Sequence, residues 1–393
     1  MPERQLHILF IASWYPHRNA PALGNFIQRH AQAAALSNKI SVVYAIADKN
    51  LAEGKTEIVE QHSENLSEYI VYYGKIKSKI PFLSQLKKRN AYQNAIRTGV
   101  EKAKKRNGNF DLLHVHVIWP AAIAVLPLLN ELQIPLLISE HWSGYLPEDG
   151  NYKGLLLKKY SKQLVEKAKH ITVVSQKMED SMRAHGLGKI FSRLPNAVNE
   201  RVFFYEKRFK FGPETRLLHV SMLVDREKNI SGLLRVMKRL EHNKAIQLEI
   251  IGDGPERAKH EKLASELQLL NKTVFFEGFK RPNEIAGSMR DIEALVMFSH
   301  FEGMPVTIIE AQFLGVPVIA TRVGSIPEMV NEQQGILVNE GDEDALEKAI
   351  LEIAADKNRF SSEDIVSAAI QKYSLKAVGE KLDSLYHSIL KDK

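Results

Sequence analysis

Two glutamates, Glu302 and Glu310, flank the largely apolar run at 304–309 in the segment HFEGMPVTIIEAQFLGVPVIATRVGSIPE at 300–328. The segment predicts a short helix between two strands, with Pro305 at the first helical position. Because helical side chains tilt toward the helix N-terminus, Glu310 is expected to lean back toward Glu302. Both carboxylates would then line one mouth, together with the backbone amides of residues 304–306.

A pair of carboxylates in a cleft has two common chemical uses. Acid and base work on a glycosidic bond needs two carboxyl groups roughly 5 to 9.5 Å apart. Carboxylates also accept hydrogen bonds from sugar or ribose hydroxyls, and the nearby backbone donors favour this second use. The structural alternative, a salt-bridged Glu302 with a solvent-facing Glu310, is hard to reconcile with apolar neighbours such as Ile308 and Ile309.

Two other loops have residues that suit an anion. IIGDGPER places Gly252 and Gly254 between a strand and a helix, which permits close backbone approach to a ligand, although such turns are often only turns. SMLVDREKN places Arg226 and Lys228 just before a helix. Cations beside free helix amides suit a diphosphate, whereas their ordinary role is that of solvated loop charges.

The elements that must position these loops are predicted to be parallel strands joined by helical crossovers. Short β-branched apolar runs alternate with amphipathic segments along the whole chain. The predicted strands are 6–12, 40–45, 111–117, 135–139 and 171–175, followed by 216–222, 246–252, 273–278, 292–298, 316–321 and 335–338. In such sheets ligands bind beyond the carboxyl ends of the strands, which is where these loops fall.

Length and composition favour two soluble domains. The 393 residues exceed what one core usually serves. We predict an α/β protein of two Rossmann-like, doubly wound domains at 1–195 and 216–374, joined by a linker at 196–215. The chain has no cysteine, which excludes disulfides, thiolate metal sites and a cysteine nucleophile.

Positive charge is concentrated in one stretch of a chain whose net charge is +7. Residues 75–106 include eleven Lys or Arg and one acid, Glu101. Such a stretch suits an anionic membrane surface or an ordinary solvated helix face, and charge alone favours neither. No nucleic-acid partner is expected, because no aromatic-basic RNA motif or helix-turn-helix signature accompanies the charge.

The sequence predicts no membrane-spanning or secretory segment. The apolar stretch near the N-terminus is too short for a signal-peptide core and continues into a predicted strand. The run at 115–129 is too short to span a bilayer and contains two prolines and a histidine. We therefore expect a cytoplasmic protein, peripheral on the inner face if it meets a membrane.

The order and spacing of these motifs resemble a known family. Two glutamates separated by seven residues, set in SHFEGMPVTIIEAQFLGVPVIATRVGSIPE, are similar to the donor-site signature of the retaining glycosyltransferases of family 4. The likeness covers almost the whole chain, including VVSQKMEDSM, LPNAVN, FFEGF and the loops quoted above. The resemblance implies the GT-B fold, in which two Rossmann-like domains face each other across a cleft. It also implies that a C-terminal helix, at 375–393, packs back on the first domain.

The resemblance implies a role for each matching position. Glu310 would hold the ribose hydroxyls of a nucleotide-sugar donor. Lys228, Glu302 and His116 would be catalytic, acting on the diphosphate and on the transferred sugar. His141 looks like a second cleft histidine, and the resemblance assigns it to the acceptor side. The remaining donor-binding positions are Gly24, Arg226, Gly254, Gly278, Gly303, Met304, Pro305 and Val306.

Two positions depart from the family pattern. The family usually has glycine and arginine where this chain has Ser221 and Met222, so one phosphate-binding guanidinium is missing. Arg226 is the candidate to replace it. A paired glycine that often precedes the last glutamate is Gly324-Ser325 here, which is a mild change.

The expected reaction moves a hexose-type sugar from a nucleoside-diphosphate sugar, such as a UDP-sugar, to a hydroxyl of a glycan or lipid-linked acceptor. Surface polysaccharide or lipopolysaccharide synthesis is the expected setting, and the first-domain loops at 46–67 and 141–155 are expected to hold the acceptor. No metal or cofactor is expected, since Lys228 and helix amides can stabilise the leaving phosphate. A sugar-nucleotide epimerase, a phosphorylase and a non-catalytic relative that docks on a membrane or partner are the alternatives.

Overall fold

The structure is a computed structural model that describes residues 4–76, 81–207, 212–242 and 245–391. The chain forms two compact units, the first made of Met1–Ala197 with Leu375–Lys393 and the second of Val198–Ser374. Each unit has its own sheet and its own buried apolar side chains. The predicted class, two α/β domains built on parallel sheets, is confirmed.

Each predicted strand is present. The strands of the first unit are β1 His7–Ala12, β2 Lys39–Asp48, β3 Thr56–His62, β4 Leu66–Gly74, β5 Leu112–His116, β6 Leu136–Glu140, β7 His170–Val173 and β8 Phe191–Arg193. Those of the second unit are β9 Thr215–Val220, β10 Ile246–Ile251, β11 Val274–Gly278, β12 Ala294–Met297, β13 Val318–Thr321 and β14 Gly335–Val338.

Helices connect the strands in both units. In chain order they are α1 Asn25–Ala34, α2 Pro81–Asn107, α3 Ile118–Leu132, α4 Leu155–Lys167, α5 Gln176–Ala184, α6 Asp225–Lys228, α7 Ile230–Arg239, α8 Arg257–Glu266, α9 Pro282–Arg290, α10 Val306–Phe313, α11 Ile326–Met329, α12 Glu343–Ala355, α13 Ser362–Tyr373 and α14 Leu375–Lys391. None of the helices in the described part of the chain has the length and apolar character needed to cross a bilayer.

The first sheet has the strand order β3-β4-β2-β1-β5-β6-β7-β8 and is parallel except for the β3 and β4 pair. All six residues of β1 are buried, as expected for a central strand covered on both faces. The interpretation of 46–67 as a loop region is wrong for 56–62, which form β3. That strand was missed because it lies at the sheet edge, half exposed, and lacks a continuous apolar run.

The second sheet has the order β11-β10-β9-β12-β13-β14, and all of its pairs are parallel. The segment predicted as a linker, 196–215, does not behave as one in its described part. Val198 and Phe203 are fully buried in the core of the second unit. Thr215 already begins β9. The residues between them are irregular in conformation yet packed, because apolar side chains at wide spacing anchor them.

The C-terminal helix α14 belongs to the first unit, where it packs on α1. Leu382 and Tyr386 of α14 are fully buried. The hydroxyl of Tyr386 lies 2.9 Å from Nδ1 of His114. The contact is close at Gly379, where an added Cβ would lie 2.5 Å from the carbonyl oxygen of Ala33.

Two separate glycine-to-alanine substitutions test the packing of α14 on α1. Gly379→Ala improves helix propensity by about 1 kcal/mol. It also forces α14 away from α1, and such overpacking costs about 1–3 kcal/mol. We expect a net loss of about 1 kcal/mol in the free energy of unfolding. Gly287→Ala in α9, where nothing lies within 4 Å of an added Cβ, is the control and should gain up to about 1 kcal/mol.

Scanning calorimetry of the two variants and the wild type measures both effects. Equal stabilisation by the two substitutions would contradict the close contact between α14 and α1.

Candidate functional site

Loops that follow β9, β10, β12 and β13 lie at one edge of the second sheet. These strands are neighbours, and all run in parallel, so their carboxyl ends share that edge. The three motifs singled out in the sequence, at 221–229, 250–257 and 300–328, are therefore brought together as predicted.

Two glycines let these loops approach each other backbone to backbone. Gly252 has a φ of 141°, and an added Cβ would lie 1.8 Å from the carbonyl oxygen of Ser221. Gly324 has a φ of 56°, and an added Cβ would lie 1.8 Å from the carbonyl oxygen of Glu302. Any side chain at either position would push the loops apart, because the atoms it meets are backbone atoms.

A buried ion pair joins two of the loops. Nζ of Lys228 donates to Oε1 of Glu302 at 2.8 Å, and the two side chains are 15% and 7% exposed. The hydroxyl of Ser299 donates to the same oxygen, also at 2.8 Å. Lys228 and Glu302, predicted to contact the diphosphate and the sugar of a donor, are thus in direct contact. Ser299 was missed, although it stands three residues before the glutamate in the same motif.

The turn after α6 positions Lys228. The carboxylate of Asp225 accepts hydrogen bonds from the amide and hydroxyl of Ser231 at 2.8 and 2.7 Å. Burial raises the pKa of Asp225, but these bonds outweigh it and hold the pKa below its usual value. Asn229 takes a left-handed conformation and caps α7 by accepting from the amide of Gly232. The two anchors fix the backbone on each side of Lys228.

Glu310 lies in α10 and is 5% exposed. It is therefore not solvent-facing, whereas the salt bridge of the structural alternative does occur at Glu302. The predicted place of Pro305 at the first helical position is wrong. Its ψ of 113° makes it the extended N-cap residue, and the helix begins at Val306. No side chain caps α10, and Ile308 donates to the carbonyl oxygen of Pro305 at 3.2 Å. The amides of Val306 and Thr307 are therefore the ones in its first turn that are available to a ligand.

Arg226 does not join the ion pair. It is exposed, and its guanidinium lies 5.6 Å from the ring centroid of Phe301, within range of a cation–π contact. Met222, the position where the family usually has arginine, is 65% exposed. The replacement of the missing guanidinium by Arg226 stays a prediction.

Gly254 and Gly278 both lie at strand ends on this edge. An added Cβ at Gly254 would lie 2.6 Å from the carbonyl oxygen of Leu223. Gly278 has a φ of 72°, and Nη1 of Arg257 lies 2.8 Å from the position of its Cβ. Phe279, the next residue, is 57% exposed and offers an aromatic face that was missed, although FFEGF had been singled out.

The sequence-predicted residues of the first unit lie at the carboxyl edge of its own sheet. His116 ends β5, His141 follows β6, and Gly24 is the N-cap residue of α1. Gly24 has a φ of 64°, and an added Cβ would lie 2.5 Å from the carbonyl oxygen of Trp14. The glycine is thus required by the backbone, and its role toward a ligand stays a prediction.

A histidine cluster forms at this edge, with His30 of α1 as a member that was missed. The ring nitrogens of His30, His116 and His141 lie within 4.8 Å of one another, and these residues are the group in the described chain that could hold a metal ion. Nε2 of His30 lies 3.0 Å from the carbonyl oxygen of Pro195. Both ring nitrogens of His116 are buried without a hydrogen-bond partner among the described residues, whereas the ring of His141 interacts with the side chain of Asn196.

Burial keeps these rings uncharged. It lowers the pKa of His30 from 6.5 to about 4, despite the opposing bond to Pro195. Burial first, and then the neighbouring histidines, hold the pKa values of His116 and His141 well below 6.5. At neutral pH each ring therefore offers one donor and one acceptor, which suits sugar hydroxyls better than anions.

Glu140 is a further functional residue that sequence reasoning missed. Its fully buried carboxylate accepts hydrogen bonds from the amides of Ile118, His141 and Trp142 at 3.0, 2.8 and 2.9 Å. Burial raises its pKa, and these bonds oppose that shift. Glu140 thus fixes the loop that places His141. It stands in the quoted SEHW motif, directly before the histidine.

Comparison with known proteins identifies the family of both units. Residues 34–201 match the family described as Glycosyltransferase Family 4, and residues 203–372 match Glycosyl transferases group 1. The chain is 26% identical over 361 residues to TuaC of Bacillus subtilis, described as a candidate teichuronic acid biosynthesis glycosyltransferase, and 88% of each chain is covered.

Solved structures share the fold. Sucrose-phosphate synthase from Thermosynechococcus elongatus matches with a TM-score of 0.77 and 21% identity, over 99% of this chain and 100% of that one. Anabaena HepE, solved in complex with UDP, matches with a TM-score of 0.72 and 16% identity over 98% and 100%. These structures show that the two α/β units have the fold of GT-B glycosyltransferases. The two family matches, which together span 34–201 and 203–372, show that the chain is a glycosyltransferase of the family 4 type.

The buried His30 predicts how the stability of the first unit depends on pH. In the unfolded chain the pKa of His30 is about 6.5, and in the folded chain it is about 4. Between these two pH values the ring is protonated in the unfolded state and neutral in the folded state. The free energy of unfolding therefore falls as the pH falls from 7 to 4, by about 2 kcal/mol for this group at pH 5. His30→Gln, which keeps a donor for Pro195, should remove that part of the loss.

Urea unfolding at pH 7 and pH 5 measures the effect. Tryptophan fluorescence reports the first unit alone, since Trp14, Trp119 and Trp142 all lie in it. His62→Gln, on the exposed edge strand β3, is the control. A pH dependence for His30→Gln equal to those of the wild type and the control would contradict the assignment.

Proposed function

We propose that the protein transfers a hexose-type sugar from a nucleoside-diphosphate sugar to a hydroxyl of a glycan or lipid-linked acceptor, with retention of the anomeric configuration. The observation that carries this is the buried Lys228–Glu302 pair beside the uncapped first turn of α10. The cation and the backbone amides at this mouth suit the diphosphate of such a donor. The carboxylates of Glu302 and Glu310 suit the hydroxyls of its sugar and of its ribose.

The ion pair has a role in each state. Without donor, Glu302 neutralises Lys228, so neither charge is buried alone. When the diphosphate enters, Lys228 turns to the phosphate oxygens, and Glu302 becomes free to accept a hydrogen bond from the sugar. Ser299 holds one carboxylate oxygen during this exchange. Donor binding therefore replaces the ion pair between Lys228 and Glu302 by a contact of Lys228 with phosphate and a hydrogen bond from the sugar to Glu302.

Catalysis depends on stabilising the leaving group. The bond from the anomeric carbon to the phosphate oxygen breaks, and its electron pair stays on the nucleoside diphosphate. Lys228 and the α10 amides oppose the charge that develops there, and Arg226 is the candidate for a second cation. The acceptor oxygen bonds to the same face of the anomeric carbon, and its proton passes to the leaving phosphate. No metal and no enzyme nucleophile are required.

The first unit is proposed to hold the reacting sugar and the acceptor. His116 positions the donor sugar through a neutral ring, because its pKa is held well below 6.5 by burial. His141, fixed by Glu140, is proposed for the acceptor side. For His116, this assignment accounts for two buried ring nitrogens that have no hydrogen-bond partner among the described residues, since buried polar atoms ordinarily have one.

Two relatives support finer choices of substrate. HepE was solved with UDP, which supports a UDP-sugar as donor. TuaC is described by its part in teichuronic acid biosynthesis, which supports a surface polysaccharide as the product. An epimerase would convert the donor without acceptor, and a phosphorylase would need orthophosphate, so an acceptor-dependent assay separates both from a transferase.

Substitutions at the mouth test the proposal. Lys228→Ala should lower kcat about 100-fold or more, because it removes the charge that faces the leaving group. Glu310→Ala should raise the donor KM by about 10- to 100-fold, because it removes hydrogen bonds to a charged acceptor. Lys357→Ala is the matched control. That lysine is also 15% exposed and near a buried glutamate, Glu293, but at the opposite edge of the sheet.

Sugar transfer is measured in buffer that contains EDTA, which tests metal independence in the same assay. Wild-type kinetics in both mouth variants would show the site assignment to be wrong, and loss of wild-type activity in EDTA would overturn the metal-independent chemistry.

A further inference from the structure

Helix α4 begins with a leucine pair that the fold leaves in solvent. Leu155 is 89% exposed and Leu156 57%, and Leu155 is the most exposed large apolar side chain in the described residues. Single exposed leucines are common, but two adjacent ones at a helix start form a patch. The core of the first unit does not explain them, because Leu164 and Val165 of the same helix are the residues that it buries.

Lysines surround this pair. Lys153, Lys158, Lys159 and Lys162 are exposed and make no ion pair within the described chain. Lys158, Lys159 and Lys162 follow Leu155 by three, four and seven residues, so they share its face of the helix. The start of α4 thus has exposed leucines flanked by uncompensated positive charge.

The first turns of α2 repeat this composition. Leu83 and Leu86 are 42% and 36% exposed. Lys88 and Arg89 follow them, exposed and without an ion pair in the described residues. Lys87 has one distant partner, Glu53, at 3.9 Å.

Topology brings the two helix starts to the same edge. Both α2 and α4 follow strands of one parallel sheet, so their N-termini lie beyond its carboxyl ends, and α3 packs between them. Trp119, in the first turn of α3, is partly exposed and lies 6.3 Å, centroid to centroid, from Tyr160 of α4. Tryptophan and tyrosine are the side chains that membrane interfaces favour. His116 and His141 stand at this same edge.

We propose that the first turns of α2 and α4 form one docking surface for an anionic lipid bilayer, with Leu155 and Leu156 entering the headgroup region. The proposal rests on the proposed transfer to a lipid-linked acceptor and names the surface from which that acceptor is taken. The lysines attract anionic headgroups, and the leucines add apolar contact that charge alone does not provide. Docking at this edge places the bilayer beside His141, the residue proposed for the acceptor side.

This surface replaces the basic stretch at 75–106 as the predicted contact. Lys77 and Lys79 of that stretch lie outside the described residues. Arg97 and Lys102 are paired with Glu131 and Glu60. Residues 104–106 lie near the other end of a 27-residue helix, about 40 Å from its start. The basic stretch therefore contributes only the first turns of α2 to the docking surface, and the remaining residues of that surface come from the start of α4.

Flotation of the full chain with vesicles tests the surface. Vesicles of phosphatidylcholine with about a third phosphatidylglycerol should bind the protein, while phosphatidylcholine alone should not. The double variant Leu155→Ala/Leu156→Ala should bind at least about tenfold more weakly. Leu36→Ala/Ile190→Ala is the matched control and should bind as the wild type does. Those side chains are 57% and 59% exposed in the same unit, but at the opposite edge of the sheet.

Charge variants complete the test. Lys158→Gln/Lys159→Gln should weaken binding to anionic vesicles, whereas Lys104→Gln/Lys105→Gln, near the far end of α2, should not. No flotation of the wild type at low salt would overturn the proposal. Binding that the leucine variant retains in full would overturn it too, because the leucines would then contribute nothing and charge alone would carry the binding.

Donor binding, followed by thermal shift with UDP-sugars, is measured on the same samples. The leucine variant should bind donor as the wild type does. Vesicle binding without any donor binding would count against the proposed transferase and not against the docking surface.

Discussion

The mouth of the second unit depends on loops that touch each other through their backbones. Gly252 meets the carbonyl of Ser221, and Gly324 meets that of Glu302, at distances that no side chain allows. Gly252 thus holds the loop after β10 against the loop after β9, and Gly324 holds the loop after β13 against the loop after β12. The amide of His300 donates to the carbonyl oxygen of Glu227 at 2.8 Å and joins these two pairs of loops. Lys228 and Glu302 flank that bond, so their contact follows from the backbone packing.

The contact between Lys228 and Glu302 explains why buried charge is tolerated there. An unpaired charge of that burial would be strongly destabilising, and removing either partner creates one. The pair therefore leaves neither charge alone at this mouth. In the first unit, burial keeps the histidines uncharged. We propose that the paired charges of the second unit suit a charged leaving group and that the neutral histidines of the first unit suit an uncharged sugar.

Most of the strands and the loops at their ends could be predicted, because they depend on local sequence patterns. Central strands such as β1 are continuous apolar runs, and glycines with lysine or glutamate mark the loops at their ends. What could not be predicted depends on the tertiary structure. β3 is a half-exposed edge strand, and its partner β4 supplies the regularity that its sequence lacks. Val198 and Phe203 are isolated apolar residues in an irregular segment, and only packing shows that they are core.

Within the sites, the same distinction holds. Residues inside a motif, such as Glu302, Lys228 and His116, could be named, whereas His30 joined the cluster from a helix with no motif of its own. Glu140 could not be identified because its carboxylate accepts hydrogen bonds from backbone amides, and the sequence does not show which amides lie near a side chain. Pro305 was assigned one position too far into its helix, since proline suits both the N-cap and the first turn. The exposure of Leu155 could not be predicted from the sequence. It depends on the orientation of α4, which turns Leu164 and Val165 toward the core instead.

The most direct test of the central claim is a thermal-shift titration with UDP-, GDP-, ADP- and dTDP-sugars on the wild type and Glu310→Ala side by side. A ligand that binds only the folded state stabilises it by mass action. The account predicts that at least one of these sugars raises the melting temperature of the wild type and that the rise is largely lost in Glu310→Ala. No shift with any donor, or an equal shift in both proteins, would contradict a nucleotide-sugar site at this mouth.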